Sequence, residues 1–393
     1  MQSVLIESPA YLKFRASLPD RPIFDNQLAV LCPASATQVL DALNQASLKP
    51  ALLLAGFDLY VHAAFEAATA LGVRPAGPRL PLVPCDKAAQ RTALADKFPN
   101  VAQPAHVVVT QLKHLGTIVR EFKFPAVLKA VDAAGGLAVY AVDNASEALH
   151  AAARIERLQN YDGRPLTNML LEQRIMGAEF SLQGIARAGD PVLLTFCEKI
   201  IENEPDRADP TLRGFREMAH IGLPGLHAPP AFVRLAGQCM AAFGYPDGPF
   251  MIDFIRDAHG NLYFLEMGFR LSGFGLVKLV EQLTGWDWGE LSFGWLLEHR
   301  WPEEPPRPQA ACTGQCLLPT RDALARAERM AADGVVIERF ASPPPHTNPA
   351  LMADNLRHSG FNGRARMVGA SPAAIQKVFQ AILGHAIDVA GLQ

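Results

Sequence analysis

The segment FMIDFIRDAHGNLYFLEMGFR, residues 250–270, holds two acids that a hairpin would bring face to face. With His259 and Gly260 as a two-residue turn, Ala258 faces Asn261, and stepping outwards Asp253 falls opposite Glu266. An X-Gly pair suits a type I′ turn, whose two central residues both need positive φ. Directly opposed residues have Cβ atoms about 4.5–5.5 Å apart, and like charges there are destabilising. The neighbours Phe254, Ile255, Phe264 and Leu265 are apolar, so water alone is a poor counterweight. A hard divalent cation shared by the two carboxylates resolves the conflict, and magnesium normally keeps further positions for phosphate oxygens. The competing reading has both acids pointing to solvent on one exposed sheet face. Gly268 lies two residues beyond Glu266 on the same face, and Arg270 two further on. A fixed guanidinium there would stabilise charge on a transferring phosphoryl group; the plainer alternative is a surface salt bridge.

Lys129 sits in the middle of the apolar run AVLKAV and shares a strand face with Val127 and Val131. A lysine there is costly unless its head finds an anion, for which an ATP phosphate serves; the alternative is a charge that protects an edge strand from pairing. Lys87 stands near the start of a helix that follows Pro84, where anions are welcome, although an isolated helix lysine is commonly just solvated. The turn D-A-A-G-G after Lys129 carries Gly135 and Gly136, which suits a loop closing over phosphates through backbone N–H groups as well as it suits an ordinary hairpin. In LLEQRIMGAEF, Glu172 ends a strand, Gly177 allows a turn and Glu179 opens the next strand. Backbone groups there can take an adenine edge, and Glu179 can accept from ribose hydroxyls. Without the other features these would be plain surface acids.

These residues need elements to position them. The opening stretch alternates LAVLCP (strand), SATQVLDALNQASL (helix), PALLLAGFD (strand) and YVHAAFEAATALG (helix), which argues for a parallel sheet covered by helices. No G-x-G-x-x-G follows any of these strands. From Cys85 the texture changes: CDKAAQRTALADKF reads as a helix, FPAVLKAV and LAVYAV as strands, and NASEALHAAARIERL as a helix with an Asn start signal. TNMLLEQRI is a strand, and AEFSLQGIARAGDPVLLTFCEKI a hairpin around AGD. After the helix PPAFVRLAGQCMAAFG and the acid-bearing hairpin comes one long helix, then a Pro-rich break near Trp301 to Pro308. The last part is a small α+β unit ending in an amphipathic helix, SPAAIQKVFQAILGHAIDVA. At 393 residues the chain exceeds one ordinary core. The expected division is 1–84, 85–300 with a small lid at about 118–172, and 301–393.

Composition narrows the function further. A net charge of −3 with mixed signs offers no basic stripe for nucleic acid. No apolar run reaches the length of a membrane span, and MQSVLIESPAYLKF lacks the pattern of an export signal. The six cysteines are scattered, with only Cys312 and Cys316 close together. That is neither a disulfide framework nor a zinc-site spacing. Reduced thiols and a cytoplasmic location are therefore expected. The Pro-rich stretches WPEEPPRP and SPPPH read as short linkers or loops.

The order and spacing of CDKAAQR, FPAVLKAVDAAGG, MLLEQRIMGAEFSLQG, FREMAHIGLP and FMIDFIRDAHGNLYFLEMGFRLSG resemble the ATP-grasp superfamily. More narrowly they resemble its carboxylate–amine ligases, which include L-amino acid ligases. In those ligases a substrate loop of the form E-x-G-H-x-x-P is similar to FREMAHIGLP. The resemblance implies an α/β (α+β) chain with the ATP-grasp fold, an N-terminal Rossmann-like parallel-sheet domain and a small C-terminal α+β domain. It implies ATP with Mg2+, or Mn2+ in its place. Lys87 and Lys129 would contact the phosphates, the 171–173 strand end with Glu172 and Gln173 would meet adenine, and Glu179 would bind ribose. Asp253 and Glu266 would ligate the metal, and Arg270 would steady an acyl-phosphate or the tetrahedral species after it, with Lys129 also assisting catalysis. Arg216 would pair with a substrate carboxylate, and His220 would orient substrate or deprotonate the amine. The partners implied are a small carboxylic acid and an amine or amino acid, and dimerisation through the N-terminal domain. Two departures stand out: the family string E-x-N-P-R is E-M-G-F-R here, so Gly268 offers no side chain, and the phosphate loop carries Ala133, Ala134 and Ala138 where glycine is usual. The expected activity is ATP-dependent formation of an amide through an acyl-phosphate. The rival is a nucleotide-binding partner or sensor without turnover, and a third reading replaces the amine by bicarbonate or a thiol.

Overall fold

The computed structural model describes residues 2–16, 23–79, 84, 86–160, 163–206, 209–303, 308–340, 361–389 and 391–392. Cys85, residues 304–307 of WPEEPPRP and all of SPPPH lie outside the described residues. At the N-terminus β1 (Val4–Glu7) and β2 (Asn26–Ala29) pair in parallel, with α1 (Pro9–Ala16), α2 (Ala36–Gln45) and α3 (Val61–Ala70) beside them. Ser35 caps α2 by accepting from the Gln38 N–H, and Val39, Leu43 and Ala67 pack with Ile6 and Leu28 into a small core. The parallel pairing follows the sequence, but PALLLAGFD does not form a strand. Among the described residues no strand pairs with it, and the run ends in the short turn Asp58–Tyr60. LAVLCP likewise stops pairing at Ala29, and Leu31 is exposed.

The next element, α4 (Lys87–Lys97), starts where Asp86 accepts from the N–H groups of Ala88 and Ala89. A first antiparallel group follows: β3 (His106–Val109), α5 (Leu112–Glu121), β4 (Ala126–Ala130), β5 (Val139–Val142), α6 (Ala145–Ile155) and β6 (Met169–Gln173), with strand order β5-β4-β6-β3. Leu115 and Val119 of α5 and Ala148, Ala152 and Ile155 of α6 bury against Leu128, Val142 and Leu171 of the sheet. The helical periodicity and the strand alternation thus meet on one face. A second group holds β7 (Gly177–Arg187), β8 (Asp190–Pro205), β9 (Arg213–Pro224), α7 (Pro230–Phe243), β10 (Gly248–Asp257) and β11 (Leu262–Gly268), in the order β11-β10-β7-β8-β9. Its core is aromatic, with Phe180, Phe232, Phe250, Phe254 and Phe264 all buried, and Phe232 meets Phe254 edge to face at 4.7 Å. The AGD turn between β7 and β8 is a two-residue hairpin with Ala188 and Gly189 both at positive φ. The two groups join where β9 pairs with β5, Gly214 beside Tyr140.

The long helix expected after the hairpin is two helices, α8 (Leu276–Thr284) and α9 (Trp288–Glu298). Gly285 takes a left-handed conformation that ends α8, and Asp287 caps α9. In the C-terminal part, β12 (Cys312–Leu317), α10 (Arg321–Arg329), β13 (Val336–Arg339), β14 (Gly363–Gly369) and a last helix at Pro372–Leu383 extend the same sheet, because β12 pairs with β9. Cys32, Cys197, Cys239, Cys312 and Cys316 are free thiols. No helix among the described residues is long and apolar enough to cross a membrane.

The chain end is pinned to the central sheet. The Gly391 N–H lies 2.9 and 3.1 Å from the two oxygens of Glu198, and Arg256 donates to the Gly391 carbonyl at 2.8 Å. Burial pushes the Glu198 carboxyl up to about 7. A carboxyl that titrates higher in the folded chain contributes stability that is present below its ordinary value of 4.5 and is lost as pH rises through about 7. Glu198→Gln is therefore expected to flatten that slope and to raise the thermal midpoint above pH 7 by ~1–3 °C. Thermal unfolding of both proteins across this pH range checks it.

Candidate active site

Between the two sheet groups lies a cleft of about 1490 Å³, lined by β4, β6, β8, β9, β10, β11 and the turn around Asp58. Its floor is the acid-bearing hairpin, and Asp253 pairs with Glu266 as the sequence indicated. The turn, however, is a three-residue loop at 258–260 rather than a His259–Gly260 type I′ turn. Gly260 N–H donates to the Asp257 carbonyl, Asp257 N–H donates to the Asn261 carbonyl, and only Gly260 has positive φ, +84°. That shifts the inner register by one, to Phe254 beside Phe264, and a bulge at Leu265 restores it at Asp253. The Leu265 carbonyl, displaced from the ladder, accepts from Arg91 at 2.7 Å.

Asp253 is 4% exposed, so the solvent-facing alternative does not hold for it, whereas the Glu266 side chain is 37% exposed and lines the cleft. Its Oδ2 lies 2.7 Å from Lys199 Nζ, while its buried Oδ1 has no hydrogen-bond partner among the described residues. Burial pushes the Asp253 carboxyl up to about 6, against the pull of Lys199. Burial also acts on Glu266, but Lys87, Lys129 and Lys199 outweigh it and hold that carboxyl at about 2. An orphaned buried carboxylate oxygen beside a second, ionised carboxylate is the donor set that a hard cation takes, so the residues present fit Mg2+. Among the described residues no group of three or more acids, histidines or cysteines is arranged to hold a metal ion by itself, which leaves the remaining coordination to phosphate and water.

The lysines converge on the same place. Lys87, the first residue of α4, donates to the Ala133 carbonyl at 2.5 Å and lies 3.2 Å from Glu266 Oε2. Lys129 belongs to β4, an interior strand between β5 and β6, so it guards no sheet edge. Its Nζ lies 2.5 Å from Glu172 Oε1, and Glu172 Oε2 lies 3.0 Å from Arg91. Burial lowers the Lys129 pKa, and Glu172 opposes that. Helix α4 is further clamped to β11 by Gln90, which donates to the Met267 carbonyl and accepts its N–H. Gly135 and Gly136 of the loop after β4 have positive φ, as does Ala138.

The other expected site residues stand in contacts of their own. Both oxygens of Glu172 are engaged by cations, and the residue is buried between β3 and β4. Gln173 lies exposed at that strand end, beside the cleft. Glu179 Oε1 binds Lys199 at 2.7 Å. Arg216 pairs with Glu204 at 2.7 Å and stacks 4.0 Å from the Phe361 ring. His220 is fully buried, 3.1 Å from Glu217 and 3.3 Å from the Gln315 amide. It stands in the cleft wall beside Glu217. Arg270 lies 2.5 Å from Asp58 and donates to the Leu271 carbonyl. Sequence reasoning missed Lys199, Arg91, Gln90, Glu217 and Asp58. Lys199 carried the same signal as Lys129, a lysine inside an apolar strand (FCEKII). Arg91 lies four residues after Lys87, on the same helix face.

Residues 122–278 match the ATP-grasp domain family. No curated protein matches the chain in sequence. Among solved structures, an L-amino acid ligase from Bacillus licheniformis shares the fold with a TM-score of 0.72 at 18% identity, over 99% of this chain and 98% of that one. The biotin carboxylase domain of 2-oxoglutarate carboxylase from Hydrogenobacter thermophilus, in complex with MgADP, ADP and bicarbonate, gives 0.66 at 16% identity over 100% and 86%. An ADP complex of N5-carboxyaminoimidazole ribonucleotide synthetase gives 0.67 at 12% identity over 97% and 96%.

Proposed function

We propose that this chain, whose residues 122–278 match the ATP-grasp domain family and whose fold is shared with an L-amino acid ligase, is an ATP-grasp ligase that joins a small carboxylic acid to an amine at the expense of ATP, through an acyl-phosphate. The observation that carries this reading is the Asp253–Glu266 pair with its orphaned Oδ1, ringed by Lys87, Lys129 and Lys199. When bound, Mg2+ neutralises phosphate charge and orients the γ-phosphoryl group. Lys87 and Lys129 hold phosphate oxygens, and the glycine-containing loop at 133–138 covers them. The main chain at 172–175 meets the adenine edge, and Glu179 lies on the ribose side. The acid's carboxylate oxygen attacks the γ-phosphorus and ADP leaves. The amine then attacks the acyl carbon, the C–O bond breaks, and phosphate departs with that oxygen as the amine loses a proton. Arg270 faces the charge that develops at the acyl end, while Arg216 and the Glu217–His220 pair shape the acceptor side. Positioning and charge neutralisation supply the rate, and the protein contributes no covalent nucleophile.

The second reading, a nucleotide binder without turnover, draws on Gly268, which brings no side chain to the hairpin. Phosphate release from MgATP, measured with purified protein across pairs of acids and amines, separates the two. Release that needs one acid, one amine and a divalent ion supports the ligase. Tight ATP binding without release under any pair supports the regulatory or partner role.

A further inference from the structure

Gly268 pairs with Met251, two residues along from the Asp253–Glu266 pair and on the same face. A β-carbon built at 268 would come 3.2 Å from Asp58 Oδ1 and 3.0 Å from Met251 Cγ. Asp58 belongs to neither strand. It opens the turn that follows the run Ala51–Phe57, in the N-terminal part of the chain. Its other oxygen, Oδ2, accepts from Arg270 Nη2 at 2.5 Å, while Arg270 Nη1 donates to the Leu271 carbonyl at 2.8 Å. The two side chains are 19% and 14% exposed, so this ion pair is a mostly shielded part of the cleft wall. The motif that the hairpin resembles has an asparagine at position 268 and an arginine two residues later. Here the arginine remains, and the space beside it is taken from outside the hairpin.

We propose that Asp58 stands in for the missing side chain at position 268: it fills that space and fixes Arg270 toward the acceptor end of the cleft. Asp58 is a positioning residue that acts through Arg270. What Arg270 then does rests on the ligase reading; where it is held does not. Restoring asparagine at 268 is consequently harmful on its own, because the new side chain and Asp58 compete for one space. Removing Asp58 alone frees Arg270. Making both changes returns a single occupant beside the guanidinium, so the two substitutions are strongly non-additive.

The test is a cycle of four proteins: the parent chain, Asp58→Ala, Gly268→Asn and the double variant. Arg270 reactivity toward phenylglyoxal, mapped by peptide mass spectrometry, needs no turnover. It is expected to be low in the parent, high in each single variant and low again in the double. For an acid–amine pair that supports phosphate release, each single variant should lose about 10²-fold in kcat, the scale of a misplaced catalytic group. KM for ATP should stay within about twofold, because substrate positioning is lost rather than nucleotide binding. The double variant should exceed the product of the single effects by more than about tenfold. Unchanged Arg270 labelling in Asp58→Ala, or effects that simply multiply, would overturn the proposal. If no pair supports release, the ligase reading fails and the labelling cycle still decides whether Asp58 holds Arg270.

Discussion

Glu172→Ala is expected to lower the unfolding free energy by about 3–5 kcal/mol, the scale for removing one partner from a buried ion cluster. Among the described residues Glu172 is the anion that pairs with both of two cations, Arg91 at 3.0 Å and Lys129 at 2.5 Å, whose side chains are 0% and 8% exposed. Truncating it strands both charges in the interior. Lys129, whose pKa burial already lowers, would then favour its neutral form and lose its hold on an anion. Glu172→Gln keeps the shape and part of the hydrogen bonding, so it should cost less. Denaturant unfolding of the three proteins, with nucleotide affinity measured on each, checks both halves of the expectation. An alanine variant of unchanged stability would mean that the cluster contributes no net stabilisation.

The second large effect is on chemistry. Glu266→Gln is expected to reduce acid-dependent phosphate release by about 10²–10³-fold, comparable to removing one preorganised electrostatic partner of a transition state. It removes one of the two carboxylates proposed to hold the metal and the counter-charge that Lys87 meets at 3.2 Å. Asp253, which burial pushes up to about 6, is left as the sole carboxylate of the pair. Weaker Mn2+ binding in the presence of ADP, followed by paramagnetic resonance, should accompany the loss and shows that it arises at the metal. Full activity in Glu266→Gln would remove the hairpin from the mechanism.

Much of the fold was legible because the order of elements follows hydrophobic period and turn chemistry. AVLKAV, LAVYAV, MLLEQ and the AGD hairpin each form strands where alternation and turn residues said they would. What alternation does not encode is the partner. PALLLAGFD has the composition of a buried strand, yet no described strand pairs with it. The helix after the hairpin breaks at Gly285, a stop signal inside an otherwise continuous apolar pattern. The meeting of Asp253 and Glu266 was read correctly through two compensating departures: a loop one residue longer than assumed and a bulge at Leu265 that undoes the shift. The bulged Leu265 carbonyl is bonded by Arg91, which is 174 positions away, and no local pattern around Leu265 announces it. Asp58 and Arg270 are further apart still, at 212 positions. Lys199 is different, since its apolar strand made it as visible as Lys129.

The most direct test of the central claim follows an oxygen. With an acid–amine pair that supports turnover, the carboxylic acid is supplied with 18O in its carboxylate, and the released phosphate is analysed by mass spectrometry. An acyl-phosphate formed by carboxylate attack carries one of those oxygens as its bridge, so each phosphate released should contain one 18O. Phosphate free of label, with all the 18O retained in the acid and its product, would contradict activation of the acid by phosphoryl transfer.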